Sequence, residues 1–533
     1  MENSVIIKEA ASGQFWTSFS NPICKDCGFR MKYSYHGNPR ALIINGKLIY
    51  IVQSYYICNN EECSNREQIV ARHPEILYKK KYSRSEFVRI INLRYNKKYT
   101  TKQLLEEVPY ISKSVIREMI QSFRAAHRAG ADDRIAKKFP PGTKLRLSID
   151  GMEPEKGQPA IYTVRETKEG TLLAADFLEI ADAESLYKLV SQIESKYGII
   201  IVGFISDKQT NIISMHDRYY PTVPHQYCAV HFMKNVTQDL RDGDQALLKN
   251  LRSEVRSLAV FKTINGKNKE EDPHLAANER FVLAETKKAL LALVNLKKKE
   301  MFDLAGLFLF GKLTDATQFL IEVTSDSQFL DSSEKFQTLE NHISSKLSDI
   351  LSKYKEEYDF YSYANEIIHP MFNAVMKSNP KSPKRKFEQV IKKWKTQINE
   401  PDCSPKLKGL LERSLGFAQS YERGLFIWRK AKLPQTNNDT ETFYNQKKGD
   451  YRGISRNKQI GVTLELTGLE EMYIPRTLTE TEIREDFKVF GNDAYWSIRG
   501  EMSQRSAKRK FGRDCRENIV DVLEKIFINL KDK

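Results

Sequence analysis

The sequence lacks the features of membrane and secreted proteins. No run of about 18 or more apolar residues occurs in its 533 residues, so a membrane-spanning helix is not expected. The opening stretch MENSVIIKEAASGQF has no basic segment followed by an apolar one, so a secretion signal is not expected either. We therefore expect a protein of the cell interior, associated with the nucleoid in a prokaryote or located in the nucleus of a eukaryote.

Cysteine is also scarce. The chain has 7, and an odd number of thiols in a reducing compartment does not suit a disulfide framework. Four of them nevertheless form two close pairs near the start, CKDC (Cys24, Cys27) and CNNEEC (Cys58, Cys63). The intervening LIINGKLIYIVQSYYI has a strand–turn–strand pattern around an Asn-Gly pair.

Two thiolate pairs on neighbouring turns are the ligand set that structural Zn²⁺ prefers. The pattern predicts a zinc-ribbon-like domain over residues 1–80, with a structural ion because no ligand position is left open for water or substrate. Four unrelated thiols are the alternative, and metal analysis would decide between the two.

No internal repeat or long low-complexity segment occurs, and the length favours three or four folded units. The chain carries 85 Lys plus Arg against 69 Asp plus Glu, a formal charge of +16, which favours an anionic polymer such as nucleic acid as partner. Basic residues and aromatics mix in LYKKKYSRSEFVR, NPKSPKRKFEQVIKKWK and SQRSAKRKFGR, although each run could be a solvated helix face.

Three helical patterns follow the cysteine-containing segment. Each begins at a hydroxyl residue that can cap a helix, namely Ser83, Thr100 or Thr101, and Ser112. They predict a helix-turn-helix domain over 81–138, whose third helix presents Lys113 and Arg117 to a DNA groove. A plain three-helix structural bundle is the alternative.

The next segment, 139–238, has the pattern of a mixed sheet with a crossover helix. The predicted strands are 144–150, 160–167, 171–180 and 199–207. Residues 239–432 are helical in pattern and predict an inserted helical domain, after which 433–475 would return to the sheet and 476–533 would form a basic helical region. The fold class predicted is multidomain α+β.

Two aspartates end strands of the predicted sheet, and ligand sites gather beyond strand ends. Asp150 ends the first strand, and Asp207 ends the long apolar strand. Glu441, in QTNNDTETFYNQ, would bring a third carboxylate on a helix. Such a set suits two Mg²⁺ or Mn²⁺ ions about 4 Å apart, which activate the attacking oxygen and stabilise the leaving oxygen of a phosphodiester.

Each carboxylate also has a local explanation. Asp150 could end a strand in a turn, Asp207 could cap the next segment, and Glu441 could complete a capping box begun by Asn438. We expect Asn438 to cap the helix while Glu441 is directed to the metal. The carboxylates held in reserve are Glu153, Asp176 and Asp217.

The ordered stretches SIDGM, ISDKQTN, CAVHF and TNNDTETFYNQ resemble the motifs of DDE transposases, nearest the Mutator-like and IS256-type group. The resemblance covers roughly residues 140–460 and implies an RNase H-like catalytic core interrupted by the helical insertion. It implies that Asp150, Asp207 and Glu441 are the catalytic metal ligands. The insertion is longer than expected for the group.

The resemblance also implies that the C-x-x-H pair, Cys228 and His231, orders the edge of the active site or contacts DNA; a buried thiol and a satisfied histidine are the alternative. Trp428, in ERGLFIWRKAK, could stack on a displaced base, although a Trp in such a stretch is commonly a core residue. Arg452 and Arg456 are candidates for phosphate contacts.

The predicted function is that of a transposase of a mobile element, which binds transposon ends and target DNA and performs metal-dependent DNA cleavage and strand transfer. A substrate with two ends favours a homodimer or a larger assembly on double-stranded DNA, without a membrane partner. One alternative is a domesticated transposase that acts as a non-catalytic, sequence-specific DNA-binding protein. The other is an RNase H-like nuclease without strand transfer.

Overall fold

The computed structural model describes most of the chain. The described ranges are 3–44, 46–64, 67–77, 81–152, 160–258, 275–295, 302–325, 331–376, 382–455, 464 and 468–517. The chain divides into two compact units, Met1–Pro224 with Asn438–Lys533, and His225–Asn437. No helix within the described ranges is long and apolar enough to cross a membrane.

The first unit begins with a six-stranded mixed sheet. Its strands are β1 (Val5–Glu9), β2 (Gln14–Phe19), β3 (Met31–His36), β4 (Arg40–Ile44), β5 (Lys47–Cys58) and β6 (Ile69–Val70). The long β5 pairs in parallel with β2 and antiparallel with β3, β4 and β6. The predicted hairpin is confirmed, since Ile44 pairs with Lys47 across a turn where Gly46 has a φ of 74°. Such a left-handed φ favours glycine.

Three helices follow, and each predicted start is confirmed by a capping hydrogen bond. They are α1 (Arg84–Tyr95), α2 (Thr101–Glu107) and α3 (Lys113–Lys138). The side chains of Ser83, Thr100 and Ser112 each accept a hydrogen bond from a backbone amide in the first turn that follows. These hydroxyls satisfy amides that have no partner within the helix, and this local chemistry explains why the starts could be read from sequence.

The end of the chain packs on these helices. Its elements are a 3-10 helix at Leu469–Tyr473, α15 (Glu480–Asp486), a 3-10 turn at Phe487–Val489 and α16 (Asp493–Glu517). Ile474, Leu478 and Ile483 share one buried cluster with Phe87 and Ile90 of α1. The helical segment at 84–138 therefore has a core that is completed by residues almost 400 positions away.

A buried carboxylate joins α15 to α3. Asp486 is 2% exposed and accepts hydrogen bonds from His127 Nδ1 at 2.7 Å and from the Arg134 guanidinium at 2.5 Å. The other ring nitrogen of His127 lies 3.1 Å from the carbonyl oxygen of Tyr473. The three side chains therefore connect α3 to two parts of the C-terminal segment.

Replacing Asp486 by Ala is expected to destabilise the first unit by about 3–5 kcal/mol, because His127 is left buried without its carboxylate. Urea denaturation followed by far-UV circular dichroism measures the change. Glu485→Ala is the matched control: that side chain is 56% exposed and pairs with Lys488, so the expected loss is below about 1 kcal/mol. Equal losses in the two variants would contradict the role of Asp486.

The second sheet of this unit contains the predicted strands. They are β7 (Lys144–Met152), β8 (Ala160–Glu166), β9 (Leu172–Leu178) and β10 (Ile200–Ser206), in the spatial order β10-β7-β8-β9. The strand β10 is parallel to β7, whereas β7, β8 and β9 are antiparallel neighbours. The crossover from β9 to β10 includes α4 (Ala183–Tyr197), and α5 (Thr210–Tyr219) follows β10. Leu186, Val190 and Ile193 of α4 pack into the core of this sheet.

The chain returns to this sheet as α14 (Asn438–Ser455). Tyr444 and Tyr451 of α14 pack against Met152, Ile161 and Leu172 of the sheet. The helix begins at Asn438, so the cap position belongs to Asn437, and the expectation that Asn438 is the cap was wrong by one residue.

The second unit is mainly helical. It contains β11 (His225–Tyr227), α6 (Ala229–Val236), α7 (Gln238–Ser257), α8 (Ala277–Val294), α9 (Ala305–Thr324), α10 (Glu334–Val375), α11 (Pro383–Ile398), α12 (Pro405–Leu425) and α13 (Trp428–Ala431). One core cluster joins α7, α8, α9 and α10, around residues such as Leu251, Leu313 and Leu347. The predicted helical character of 239–432 is therefore confirmed wherever this segment is described.

Candidate functional site

The four N-terminal cysteines converge on one point. Their sulfur atoms all lie within 4.8 Å of one another, with Cys24 and Cys63 at 3.9 Å and Cys27 and Cys58 at 3.5 Å. A tetrahedral site with Zn–S bonds of about 2.3 Å has sulfur–sulfur edges of about 3.8 Å. The cluster could therefore hold a metal ion such as zinc without a large rearrangement.

Two tight turns position these thiols. In the first, Gly28 has a φ of 72°, and the backbone of Cys24 exchanges hydrogen bonds with Gly28 and Phe29. A hydrogen bond from the Phe29 amide lowers the pKa of the Cys27 thiol to about 7. In the second turn, the amide of Asn60 donates to Cys58 Sγ at 3.4 Å. Backbone donors of this kind favour the thiolate, which is the metal-binding form, although burial and the neighbouring Cys27 and Cys24 thiols leave the pKa of Cys58 raised.

The two predicted aspartates lie on neighbouring parallel strands. Ser206, the last residue of β10, pairs with Ile149 of β7, so the next residues along the two strands are Asp207 and Asp150. Asp150 is buried, at 6% exposed, and Asp207 is half-buried. The carboxyl end of this strand pair therefore carries both carboxylates at one edge of the sheet.

The helix that carries Glu441 is bonded to the same edge. Tyr444 Oη donates to the backbone carbonyl of Asp150 at 2.8 Å and lies 2.6 Å from Thr163 Oγ1. One turn earlier, Thr440 Oγ1 lies 2.7 Å from Ser148 Oγ on β7. Residues four apart lie on one helical face, so this face of α14 is fixed to β7. Half-buried Glu441 lies beside that face, one turn before Tyr444.

Arg165 gives the start of α14 a further anchor. Its guanidinium donates to the carbonyl oxygen of Asp439 at 2.7 Å and to that of Gly170. The same group lies over the Phe443 ring, 4.5 Å from its centroid. This buried arginine on β8 thus contacts both backbone and side chain of the first turns of α14, and it limits their rotation relative to the sheet.

The charges at this edge affect Tyr444. Burial raises the pKa of Tyr444 well above its ordinary value, and the negative charges of Asp150 and Asp207 raise it further. The phenol therefore remains protonated and can keep donating to the Asp150 carbonyl. The pKa of the Tyr444 hydroxyl therefore depends on the charges of both aspartates.

The carboxylates do not form a closed metal-binding cluster. Among the described residues, the four cysteines are the only group of three or more potential ligands whose atoms all lie within 4.8 Å. Oxygen atoms bound to a single Mg²⁺ at about 2.1 Å cannot be more than about 4.2 Å apart. In the observed side-chain conformations the trio of Asp150, Asp207 and Glu441 is therefore too widely spaced for all three to bind one ion. Its oxygen chemistry suits Mg²⁺ or Mn²⁺.

Two predicted DNA contacts of the first unit lie on the exposed face of α3. Lys113 and Arg117 are exposed and four residues apart, so they project from the same side of the helix. Arg452 is exposed on α14, whereas Arg456 lies outside the described residues. The reserve carboxylate Glu153 is also outside them.

The other two reserve carboxylates have local environments of their own. Partial desolvation raises the pKa of Asp176 on β9, although the residue as a whole is exposed. Asp217 Oδ1 lies 3.0 Å from His216 Nδ1.

Three predicted residues belong to the second unit. Cys228 occupies the cap position of α6, is 1% exposed, and its sulfur accepts a hydrogen bond from the Asn437 amide at 3.2 Å. His231 lies within the first turn of α6. Trp428 begins α13, and its half-buried ring has the Arg429 guanidinium 5.3 Å from its centroid.

The sequence reasoning missed the residues that support the carboxylates. Tyr444 and Arg165 hold α14 against the sheet, and Gln209 donates to Asp207 Oδ2 at 2.9 Å. The sequence weakly indicated two of these supporting residues, because Tyr444 follows Glu441 by one helical turn and Gln209 follows Asp207 by two residues. Nothing in the local sequence indicated the role of Arg165, because its partner in α14 is more than 270 residues away.

Comparison of the chain with models of known protein families gives no match, and comparison with curated proteins gives none.

Proposed function

We propose that the protein is a DDE-type transposase with an RNase H-like catalytic core, which cleaves DNA at transposon ends and transfers the strand to a target. One observation carries the proposal. The helix of Glu441 is hydrogen-bonded through Tyr444 to the backbone of Asp150, on the strand adjacent to that of Asp207. Glu441, which follows Asp207 by 234 positions in the sequence, thereby lies on a helix that is hydrogen-bonded to the strand of Asp150.

Asp150, Asp207 and Glu441 would hold the divalent ions. When bound, Mg²⁺ or Mn²⁺ supplies Lewis acidity at the phosphodiester and lowers the pKa of a water molecule. Asp150 and Asp207 would supply negative charge from the carboxyl ends of two neighbouring strands. Glu441 would supply it from α14, which contacts with β7 and β8 hold in place. Tyr444, Thr440 and Arg165 position that helix, so their role is to maintain the separation of the three carboxylates.

DNA binding would use separate surfaces. The cysteine cluster would hold a structural Zn²⁺ and so stabilise the first sheet, and Lys113 and Arg117 would contact DNA from α3. His231, Trp428 and Arg452 are the further proposed contacts, whereas Cys228, at 1% exposed, would have an ordering role only. A transposon has two ends, so the active species on DNA would be a dimer or larger.

The experiment is a cleavage assay on a supercoiled plasmid that carries the DNA flanking the gene. With Mg²⁺ we expect nicked and linear products and, when a second plasmid is present, joined products. With EDTA we expect neither. Cleaved products without joined products would indicate a nuclease. Unchanged plasmid together with tight, sequence-specific binding would indicate a non-catalytic DNA-binding protein. Either outcome would refute the proposed transposase activity.

The double variant Lys113→Ala/Arg117→Ala is expected to weaken binding to duplex DNA and to reduce its salt dependence. Each lost phosphate contact lowers the slope of log K against log salt by about one, so a decrease of about two is expected. Fluorescence anisotropy with a labelled duplex at several salt concentrations measures this slope. Lys188→Ala, which removes an exposed lysine of α4, is the control and should leave the slope unchanged. A double variant with the wild-type slope would exclude α3 from the DNA interface.

A further inference from the structure

A chain of hydrogen bonds leads from the core of the first unit to Asp207. Asn211 Nδ2 donates to Tyr162 Oη at 2.8 Å, and Tyr162 Oη donates to Gln209 Oε1 at 3.0 Å. Gln209 Nε2 then donates to Asp207 Oδ2 at 2.9 Å. The four side chains come from β8, α5 and the turn between β10 and α5.

The chemistry of its two ends fixes the direction of this chain. The carbonyl of Ala181 can only accept, and Asn211 Nδ2 donates to it at 2.7 Å. The second N–H of that amide is directed to Tyr162 Oη, so the phenol hydrogen is left for Gln209 Oε1. The amide nitrogen of Gln209 must then face Asp207, whose carboxylate can only accept. Each donor has one acceptor, and reversing any amide would bring two donors or two acceptors together.

Tyr162 is itself held beside Asp150. It is 5% exposed and pairs across the strands with Gly151, the residue after Asp150. A Cβ atom at position 151 would lie 3.0 Å from the Tyr162 ring, closer than ordinary contacts, so glycine permits the ring to rest on the β7 backbone. The tyrosine thus contacts the strand of one proposed metal ligand and is linked through Gln209 to the other.

We propose that Gln209 and Tyr162 are positioning residues that fix the Asp207 carboxylate in its metal-binding orientation. This inference rests on the proposed metal site. A carboxylate at the end of a strand can rotate about two side-chain bonds, and a donor held by a buried phenol removes that freedom at one oxygen. Outer partners of metal ligands commonly account for about 10- to 100-fold in metal affinity.

The test is Mn²⁺ binding by the full-length protein, measured by electron paramagnetic resonance without DNA. Gln209→Leu keeps a similar size but deletes the donor, and we expect its affinity for Mn²⁺ to fall about 10- to 100-fold. Tyr162→Phe keeps the ring and deletes only the hydroxyl, and we expect a smaller fall in the same direction. Thermal unfolding without metal shows whether each variant folds, and Tyr162→Phe decides the question should Gln209→Leu not fold.

Tyr220→Phe is the matched control. It also deletes a hydroxyl from a buried tyrosine of this unit, one that donates to Glu194 at 2.6 Å. It should retain wild-type Mn²⁺ affinity. Wild-type Mn²⁺ affinity in both Gln209→Leu and Tyr162→Phe would overturn the positioning role of these two residues but not the proposed metal site. An equal fall in Mn²⁺ affinity in Tyr220→Phe would do the same. Absence of Mn²⁺ binding by the wild-type protein, or binding unaffected by Asp207→Asn, would overturn the proposed metal site instead.

Discussion

Replacing Asp150 by Asn should reduce Mg²⁺-dependent cleavage by at least about 10³-fold, because a metal contributes several kcal/mol at the reacting phosphate and each 1.4 kcal/mol is about tenfold in rate. The substitution preserves shape and removes the anionic ligand. It leaves the backbone carbonyl that Tyr444 binds, so α14 should remain against β7. The plasmid assay measures the rate, and circular dichroism verifies the fold.

Asp176→Asn is the control for this substitution. Asp176 is an exposed carboxylate of the same sheet, on β9. Because β9 is separated from β10 by two other strands, the neutral variant should cleave at close to the wild-type rate. Wild-type cleavage by Asp150→Asn, or equal losses in the two variants, would contradict the assignment of Asp150 as a metal ligand.

Replacing Cys58 by Ser is expected to unfold the first sheet. Cys58 ends β5, the strand that pairs with four others, and the buried clusters of this sheet are small. Structural zinc supplies about 10–16 kcal/mol of folding free energy in zinc-finger peptides, far more than such small clusters provide. We expect loss of bound zinc, rapid proteolysis within residues 3–77 and loss of DNA binding.

Metal content per chain and limited proteolysis measure this outcome. Cys403→Ser is the control, since Cys403 lies in the second unit, outside the cysteine cluster, and should leave both measurements unchanged. If Cys58→Ser retained one zinc ion per chain and the wild-type digestion pattern, the cluster would not be a structural metal site.

Local chemistry explains which features could be predicted from sequence. The starts of α1, α2 and α3 could be predicted because each capping hydroxyl bonds an amide only three residues further along the chain. The capping residues are Ser83, Thr100 and Ser112. Asp207 directly follows the continuous apolar strand β10, so this strand end was predicted from its local pattern, whereas the predicted end of the first strand at Asp150 was wrong by two residues because β7 continues to Met152.

Long-range pairing explains what could not be predicted. The ion pair between Arg124 and Glu471 and the contact of His127 with Asp486 join residues about 350 positions apart, and nothing in their local sequence marks them. The support of Asp207 by Tyr162 depends on the pairing of β7 with β8, which places Tyr162 opposite Gly151. Such contacts follow from strand register, and register is set by the whole sheet.

The most direct test of the proposed metal site is a crystal structure of the protein grown with Mn²⁺, in which anomalous scattering locates the ions. The account predicts one or two Mn²⁺ ions at the carboxyl end of β7 and β10, with oxygen atoms of Asp150, Asp207 and Glu441 about 2.2 Å from an ion. No ion at this edge, or an ion bound without Glu441, would contradict the account.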